Sequence, residues 1–209
     1  MRDDRHRIQT GRGLPKSHLE QAFERHFEAS WFDTPEQASV YFTKGRRMID
    51  AYLAFSLSGG DSSGVLAVEQ PFRLHPSFGV PVEGFIDRIE RRGDEYWVID
   101  YKTGRPFSEQ DSRADQLLLY GLAFYQQYRR RPRRSVYYFL DTDTVLVGPE
   151  LTKQTVTSLR KRFARMLQSL RAGEFHRTCT SSFWCQNICG YGRTGMCPLV
   201  AGGARRPVP

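Results

Sequence analysis

"VEGFIDRIERRGDEYWVIDYKTG", residues 82 to 104, reads as two strands folded back on one another. The runs "VPVEGFIDRIER" (80–91) and "EYWVIDYK" (95–102) are rich in β-branched and aromatic residues, and Gly93-Asp94 between them is hairpin-turn chemistry. In an extended chain residues i and i+2 share a face, so Asp100 and Lys102 project side by side while Ile99 and Tyr101 turn the other way. Asp87 on the first strand can then converge with Asp100 across the turn, and Gly104 lets the chain leave the sheet. An upstream run, "VLAVEQPFRL" (65–74), completes an antiparallel meander and offers Glu69 as a third carboxylate.

Like charges held together are unfavourable unless something positive compensates, and oxygen ligands with few cysteines or histidines nearby suit Mg²⁺ or Mn²⁺. Lys102 would lie beside such an ion, able to orient or deprotonate a water molecule or to stabilise charge growing at phosphorus. The plainer alternative is a set of ion pairs on a solvent-facing sheet, Asp87 with Arg88 or Arg91 and Asp100 with Lys102. Placement of all four groups on three successive strands with apolar neighbours favours the site.

Outward from the meander, helices are expected on both sides. Residues 14–32 place Leu19, Phe23, His26, Phe27 and Trp31 at helical spacing. "DTPEQ" restarts a helix with Thr34 as cap, Pro35 in the first turn and Gln37 three residues after the cap, running to about Phe55 and burying Tyr41, Met48, Tyr52 and Phe55. After the meander come a helix from about Ser108 to Arg130, strands "SVYYFL" (135–140) and "TVLVG" (144–148), and a helix from about Thr152 to Ala172 closed by Gly173. Its apolar stripe is Val156, Leu159, Phe163, Leu167 and Leu170. The sum is an α/β core, a mixed sheet of about five strands flanked by helices. The expected organisation is an N-terminal helical region (1–64), the core (65–174), a cysteine-rich tail (175–201) and a disordered end (202–209).

The chain has 209 residues, enough for one ordinary domain with a small appendage. No stretch approaches the roughly 18 to 20 apolar residues that span a bilayer, and "MRDDRHRIQTGRG" lacks the apolar run of a secretory signal. A soluble, cytoplasmic and nucleoid-associated protein without a membrane partner is expected. "SLSGGDSSG" (56–64) lacks the Gly-Lys-Ser/Thr ending of a phosphate loop. Lys plus Arg number 31 against 23 Asp plus Glu, a net charge of +8, clustered in "RRRPRR" (129–134), "RKRFAR" (160–165) and "ARR" (204–206). A single basic run is often just a solvated face. Several together point to a polyanionic partner, nucleic acid first.

Taken together, "EGFIDRI" (83–89), "IDYKTG" (99–104) and "QLLLY" (116–120) resemble the PD-(D/E)xK nuclease superfamily, most closely its RecB-type branch, which includes the iron-sulfur exonucleases of CRISPR systems. The resemblance covers roughly residues 65–198 and implies a restriction-endonuclease-like core. It implies that Glu69, Asp87, Asp100 and the carbonyl of Tyr101 bind the divalent metal while Lys102 acts on the nucleophilic water. Gln116 and Tyr120 match the family's QxxxY element; four apart on a helix, they face one side and can contact phosphate or support Lys102. A satisfied core pair is the alternative reading.

The implied function is metal-dependent hydrolysis of DNA phosphodiester bonds, at single strands or duplex ends, by an exonuclease of repair, recombination, phage replication or CRISPR adaptation. The basic helix and "RRRPRR" would hold the nucleic-acid backbone, and Phe107, Tyr125 and Tyr128 could stack on unpaired bases, although packing is the commoner use of such rings. The alternative is a DNA-binding accessory subunit of a larger helicase-nuclease or integrase complex, with the helicase or integrase as partner. The family's upstream histidine has only poor counterparts here: His18, and His26, which fits the core face of its helix.

All four cysteines lie in "CTSSFWCQNICGYGRTGMCP", at Cys179, Cys185, Cys189 and Cys197. Four thiolates satisfy either tetrahedral zinc or a cubane cluster. Relatives in the RecB-type branch end a downstream cysteine trio in Cys-Pro, as "MCPL" does. That resemblance implies a structural 4Fe-4S cluster on Cys185, Cys189 and Cys197, with Cys179 replacing an upstream ligand and Zn²⁺ as the alternative.

Overall fold

A computed structural model describes residues 5–6, 9–10, 13–58, 64–74, 79–104, 106, 114–174, 189–193 and 196. In chain order the elements are α1 (Lys16–His26), α2 (Pro35–Ser58), β1 (Val65–Leu74), β2 (Val82–Arg92), β3 (Glu95–Lys102), α3 (Ala114–Tyr128), β4 (Arg134–Phe139), β5 (Thr144–Val147), α4 (Lys153–Arg171) and the single turn α5 (Gly190–Arg193). By contacts the chain divides into two compact units, residues 1–165 and 166–209.

The five strands form one sheet in the order β1-β2-β3-β4-β5. Every neighbouring pair is antiparallel except β3 and β4, which run parallel with Trp97 beside Arg134 and Lys102 beside Phe139. A parallel neighbour needs a crossover rather than a hairpin, and α3 lies within it. The expected mixed α/β core is therefore present. The β2–β3 turn uses Gly93 at φ 59°, the left-handed value a tight hairpin requires.

Strand alternation divides the interior in two. On one face Ile89, Val98, Tyr137 and Phe139 pack with Leu117, Leu118, Tyr120 and Phe124 of α3 and Leu159 of α4. On the other, Ile99, Val136 and Tyr138 pack with Phe55 of α2, whose ring stacks on Tyr138 at 4.0 Å. Among the described residues eleven side chains are sealed to below 2 % exposure, Phe124, Ile99 and Leu159 among them, so both layers are dry. At about 1.5 to 3 kcal/mol for each large apolar group, this burial is the main force holding α3 onto β3.

The α2 start folds as its sequence reads: the Gln37 amide donates to Thr34 Oγ1 at 3.1 Å, and the Asp33 amide donates to Gln37 Oε1 at 2.8 Å. The expected helix over 14–32 ends sooner, with α1 closing at His26 and a separate 3-10 turn over Ala29–Trp31. His26 does not reach the core; it is exposed, and its Nδ1 donates to the Ala22 carbonyl at 2.7 Å. Tyr41 is 48 % exposed, because its ring lies against Phe32 in the outlying aromatic cluster of Phe23, Phe27, Phe32 and Phe42. Among the described residues no helix is long and apolar enough to cross a membrane. Cys179, Cys185, Cys197, Phe107 and the end 202–209 lie outside the described residues.

One irregularity in β1 bears on the site. Glu69 takes φ 48° in the middle of the strand, a left-handed conformation uncommon for a residue with a Cβ. Ala67 and Phe72, on opposite sides of it and an odd number of residues apart, both pack on the α3 face. A regular strand would send them to opposite faces; the pairing with β2 nonetheless holds its register through Glu69 and shifts only between Val65 and Ala67. The pairs Val68 with Arg88 and Gln70 with Ile86 bracket it and set it opposite Asp87. Breaks of this kind re-aim side chains and are frequent beside active sites.

Candidate active site

The hairpin ladder of β2 and β3 ends at Arg88 with Ile99, one step short of Asp87 and Asp100. At that step a side chain replaces the ladder: the Tyr101 amide donates to Asp87 Oδ2 at 2.9 Å. Asp87 is thereby fixed against β3 on the α3 face, beside Asp100. Its carboxyl is raised above the ordinary carboxylate value by burial first, with the Asp100 and Glu69 charges adding to the rise while the Tyr101 amide and Lys102 oppose it.

Asp100 is only 2 % exposed. Burial pushes its carboxyl upward, against the pull of Lys102 and the Tyr120 hydroxyl. Lys102 Nζ stands 2.5 Å from Asp100 Oδ2, yet that buried oxygen accepts no hydrogen bond of good geometry. Lys102 also donates to Gln116 Oε1 at 3.2 Å, Gln116 Nε2 donates to the Tyr120 hydroxyl at 2.7 Å, and the Tyr120 hydroxyl donates to Asp100 Oδ1 at 3.2 Å. The four side chains form a closed circuit. Its geometry follows from two periodicities, i and i+2 on β3 and i and i+4 on α3. Gln116 and Tyr120 are thus a polar clasp over Lys102, and burial raises the Tyr120 phenol well above its usual value.

Tyr137, unremarked in the sequence, belongs to the same cluster. It pairs with Asp100 across the parallel strands, its hydroxyl donates to Gln116 Oε1 at 3.2 Å, and its ring lies 5.0 Å from Lys102 Nζ. The signal was available in the alternation of "SVYYFL", but only once β4 was placed beside β3.

The ordinary ion-pair reading fails for Asp87. Arg88 lies on the other face, sealed to 2 % exposure and paired with Glu90 at 2.6 Å, and it donates to Ser56 Oγ and the Tyr101 hydroxyl. Arg91 pairs with Asp94. For Asp100 the partner is Lys102, in a pair whose carboxylate is buried and whose lysine is partly exposed.

Glu69 is the least assembled member. Its side chain is 44 % exposed and its carboxylate is paired with Arg5, a contact no sequence pattern announced. Accordingly, among the described residues no group of three histidine, cysteine or acidic side chains is gathered closely enough to enclose an ion. The donor set still suits a hard cation: two carboxylates raised by burial, Asp100 with its Oδ2 beside Lys102, and a third carboxylate on the facing strand. His18 and His26 are exposed residues of α1, and neither has a contact with this cluster. Of the four cysteines only Cys189 is described, half-buried just before α5, so a cysteine-held cluster is not visible among the described residues.

A partly exposed lysine paired with a buried aspartate, with a second carboxylate beside them at a sheet end and a helix clasping the lysine, is an arrangement found in nucleases. The sequence model of the PD-(D/E)XK nuclease superfamily matches residues 5–198, and the chain belongs to that superfamily. No curated protein matches the chain. Among solved structures, the crystal structure of SSO0001 is similar over 88 % of this chain and 80 % of its own, at 16 % identity and a TM-score of 0.42, a likeness too loose to carry an argument.

Proposed function

We propose that this nuclease is a Mg²⁺- or Mn²⁺-dependent deoxyribonuclease acting on single strands or duplex ends. The observation that carries the reading is the closed circuit of Asp100, Lys102, Gln116 and Tyr120 with Asp87 beside it. Asp87, Asp100 and the Tyr101 carbonyl would hold the cation, joined by Glu69 when Arg5 releases it. When bound, such an ion supplies Lewis-acid polarisation of the phosphoryl group and a more acidic water.

The chain's own residues do the remainder. Gln116 and Asp100 hold the Lys102 ammonium in one place, where it orients a water for in-line attack and stabilises the negative charge growing on phosphorus. The new oxygen–phosphorus bond forms as the bond to the leaving strand breaks; the attacking water gives up a proton to solvent and the leaving oxygen takes one up from solvent. No covalent enzyme intermediate is required.

Exonuclease action and a place in repair, recombination, phage replication or CRISPR adaptation rest on the RecB-type resemblance, as does a cysteine-held 4Fe-4S cluster with Zn²⁺ as its rival. Iron and zinc analysis of the purified protein separates the last two. An accessory subunit would bind DNA without cutting it.

The deciding experiment incubates end-labelled single-stranded and duplex DNA, and matched RNA, with the protein in Mg²⁺, Mn²⁺ or EDTA, beside Lys102→Ala. Cleavage of DNA that requires the cation and falls at least about a hundredfold in the variant is expected. Cleavage indifferent to both changes defeats the mechanism.

A further inference from the structure

The densest positive charge in the sequence, Arg129 to Arg134, connects α3 to β4, and all five of its arginines are exposed. The parallel register fixes its place: Arg134 lies beside Trp97, whereas Lys102 lies beside Phe139 at the other end of the same two strands. Five residues of strand separate them, about 17 Å at roughly 3.3 Å per residue. The arginine run is not part of the catalytic cleft.

It also has the form of a recognition surface. Arg130 lies over the Tyr96 ring at 5.6 Å on the α3 face and Arg134 over the Trp97 ring at 5.1 Å on the other face, so the run sets guanidinium groups in cation–π range on both sides of the sheet end. Beside them opens a cavity of about 660 Å³ bordered by Tyr96, Arg131, Arg133 and Arg134. Of the acids around it, Glu95 pairs with Arg133 of the run itself at 3.2 Å, exposed Asp94 pairs with Arg91 at 3.2 Å, and Glu150 remains; Arg129, Arg130, Arg131 and Arg134 carry the positive excess. Arg129 closes α3 at φ 56°, a left-handed position where glycine is the usual choice, so a long charged side chain stands where none is needed for the turn.

We infer that Arg129 to Arg134 form a second phosphate-binding surface that grips the nucleic-acid strand away from the bond being cut. Its ligand is the phosphodiester backbone, and the inference rests on the nuclease reading. At the roughly 3.4 Å per base pair of duplex DNA, 17 Å corresponds to about five base pairs, and to fewer nucleotides of an extended single strand. Substrate too short to reach from the Lys102 cleft to the arginines lacks this grip.

The test uses labelled oligothymidylates of roughly 4 to 24 nucleotides, binding measured without divalent cation and cleavage with Mg²⁺, for wild type and Arg130→Ala/Arg131→Ala, both surface positions. Wild-type affinity should step upward once the oligonucleotide exceeds the span. The variant should lose that step, show a salt slope on long oligonucleotides shallower by about 1.4 for two lost single-strand contacts, and cleave the shortest oligonucleotides as wild type does. Equal weakening at every length, or an unchanged salt slope, overturns the inference. Cleavage without a length step sinks this second surface alone; a length step without cleavage sinks the nuclease reading alone.

Discussion

The Tyr101 amide donates a 2.9 Å hydrogen bond to Asp87 Oδ2, so the β2 carboxylate is tied to the backbone of the very strand that carries Asp100 and Lys102. The tie continues through the sheet, because the Tyr101 hydroxyl accepts from Arg88 at 3.1 Å on the opposite face. Asp87→Asn keeps an acceptor for the amide and removes the charge. The folded state should survive while Mn²⁺ binding, followed by calorimetry, weakens at least about tenfold. Unchanged Mn²⁺ binding would remove Asp87 from the site.

Gln116 holds Lys102, and Tyr120 holds Asp100. Gln116→Ala leaves Lys102 paired only with Asp100, so the cleavage rate should fall about ten- to a hundredfold with Mn²⁺ affinity retained. Tyr120→Phe removes one hydrogen bond to a buried carboxylate and should cost about 1 to 3 kcal/mol in denaturant unfolding. If Gln116→Ala lowers stability and leaves the rate alone, the pair is core structure and nothing more.

Arg5 pairs with the Glu69 carboxylate, which the proposed divalent ion would also use. Arg5→Ala should therefore tighten Mn²⁺ binding several-fold, and added cation should raise the wild-type melting temperature, by about 2.7 kcal/mol of stability at a hundredfold excess over Kd. Looser binding in the variant would show that Arg5 helps the site rather than masking it.

The buried carboxylates make a pH prediction with a definite sign. Asp87 and Asp100 lie above the ordinary carboxylate value of about 3.9 in the folded protein, so between the two values the native state binds more protons than the unfolded chain. Stability of the metal-free protein falls as pH rises through that window and stays lower above it. Asp100→Asn, which cannot ionise, should melt higher than wild type at pH 7 without metal, and the advantage should vanish below about pH 4. An advantage independent of pH would place its cause elsewhere.

The β2–β3 hairpin, the α2 cap and the Asp100–Lys102 pairing were legible because each depends on local chemistry: period-two alternation, a Gly-Asp turn, and Thr34 with Gln37 three residues on. The Gln116–Tyr120 clasp was legible as a helical pair but not as a circuit, which needs α3 laid over β3. Three features were out of reach. The left-handed Glu69 leaves no mark in the polar pattern, the Arg5 contact spans 64 positions, and the place of Tyr137 depends on which strand becomes β4's neighbour. Tyr41 and His26 misled because apolar spacing says which residues share a face, not whether another layer covers it.

The one parallel pairing also dictates when the site can exist during folding. β1, β2 and β3 are neighbours in sequence and can zip early, setting Asp87 next to Asp100 with Glu69 on the facing strand. The lysine clasp cannot form until β4 has found β3 by a long loop closure that traps α3 between them, the slower class of event. Newly made chains would thus pass through a state with the acid-bearing strands paired but Lys102 unclasped, and competence to cut would arrive with the last strands.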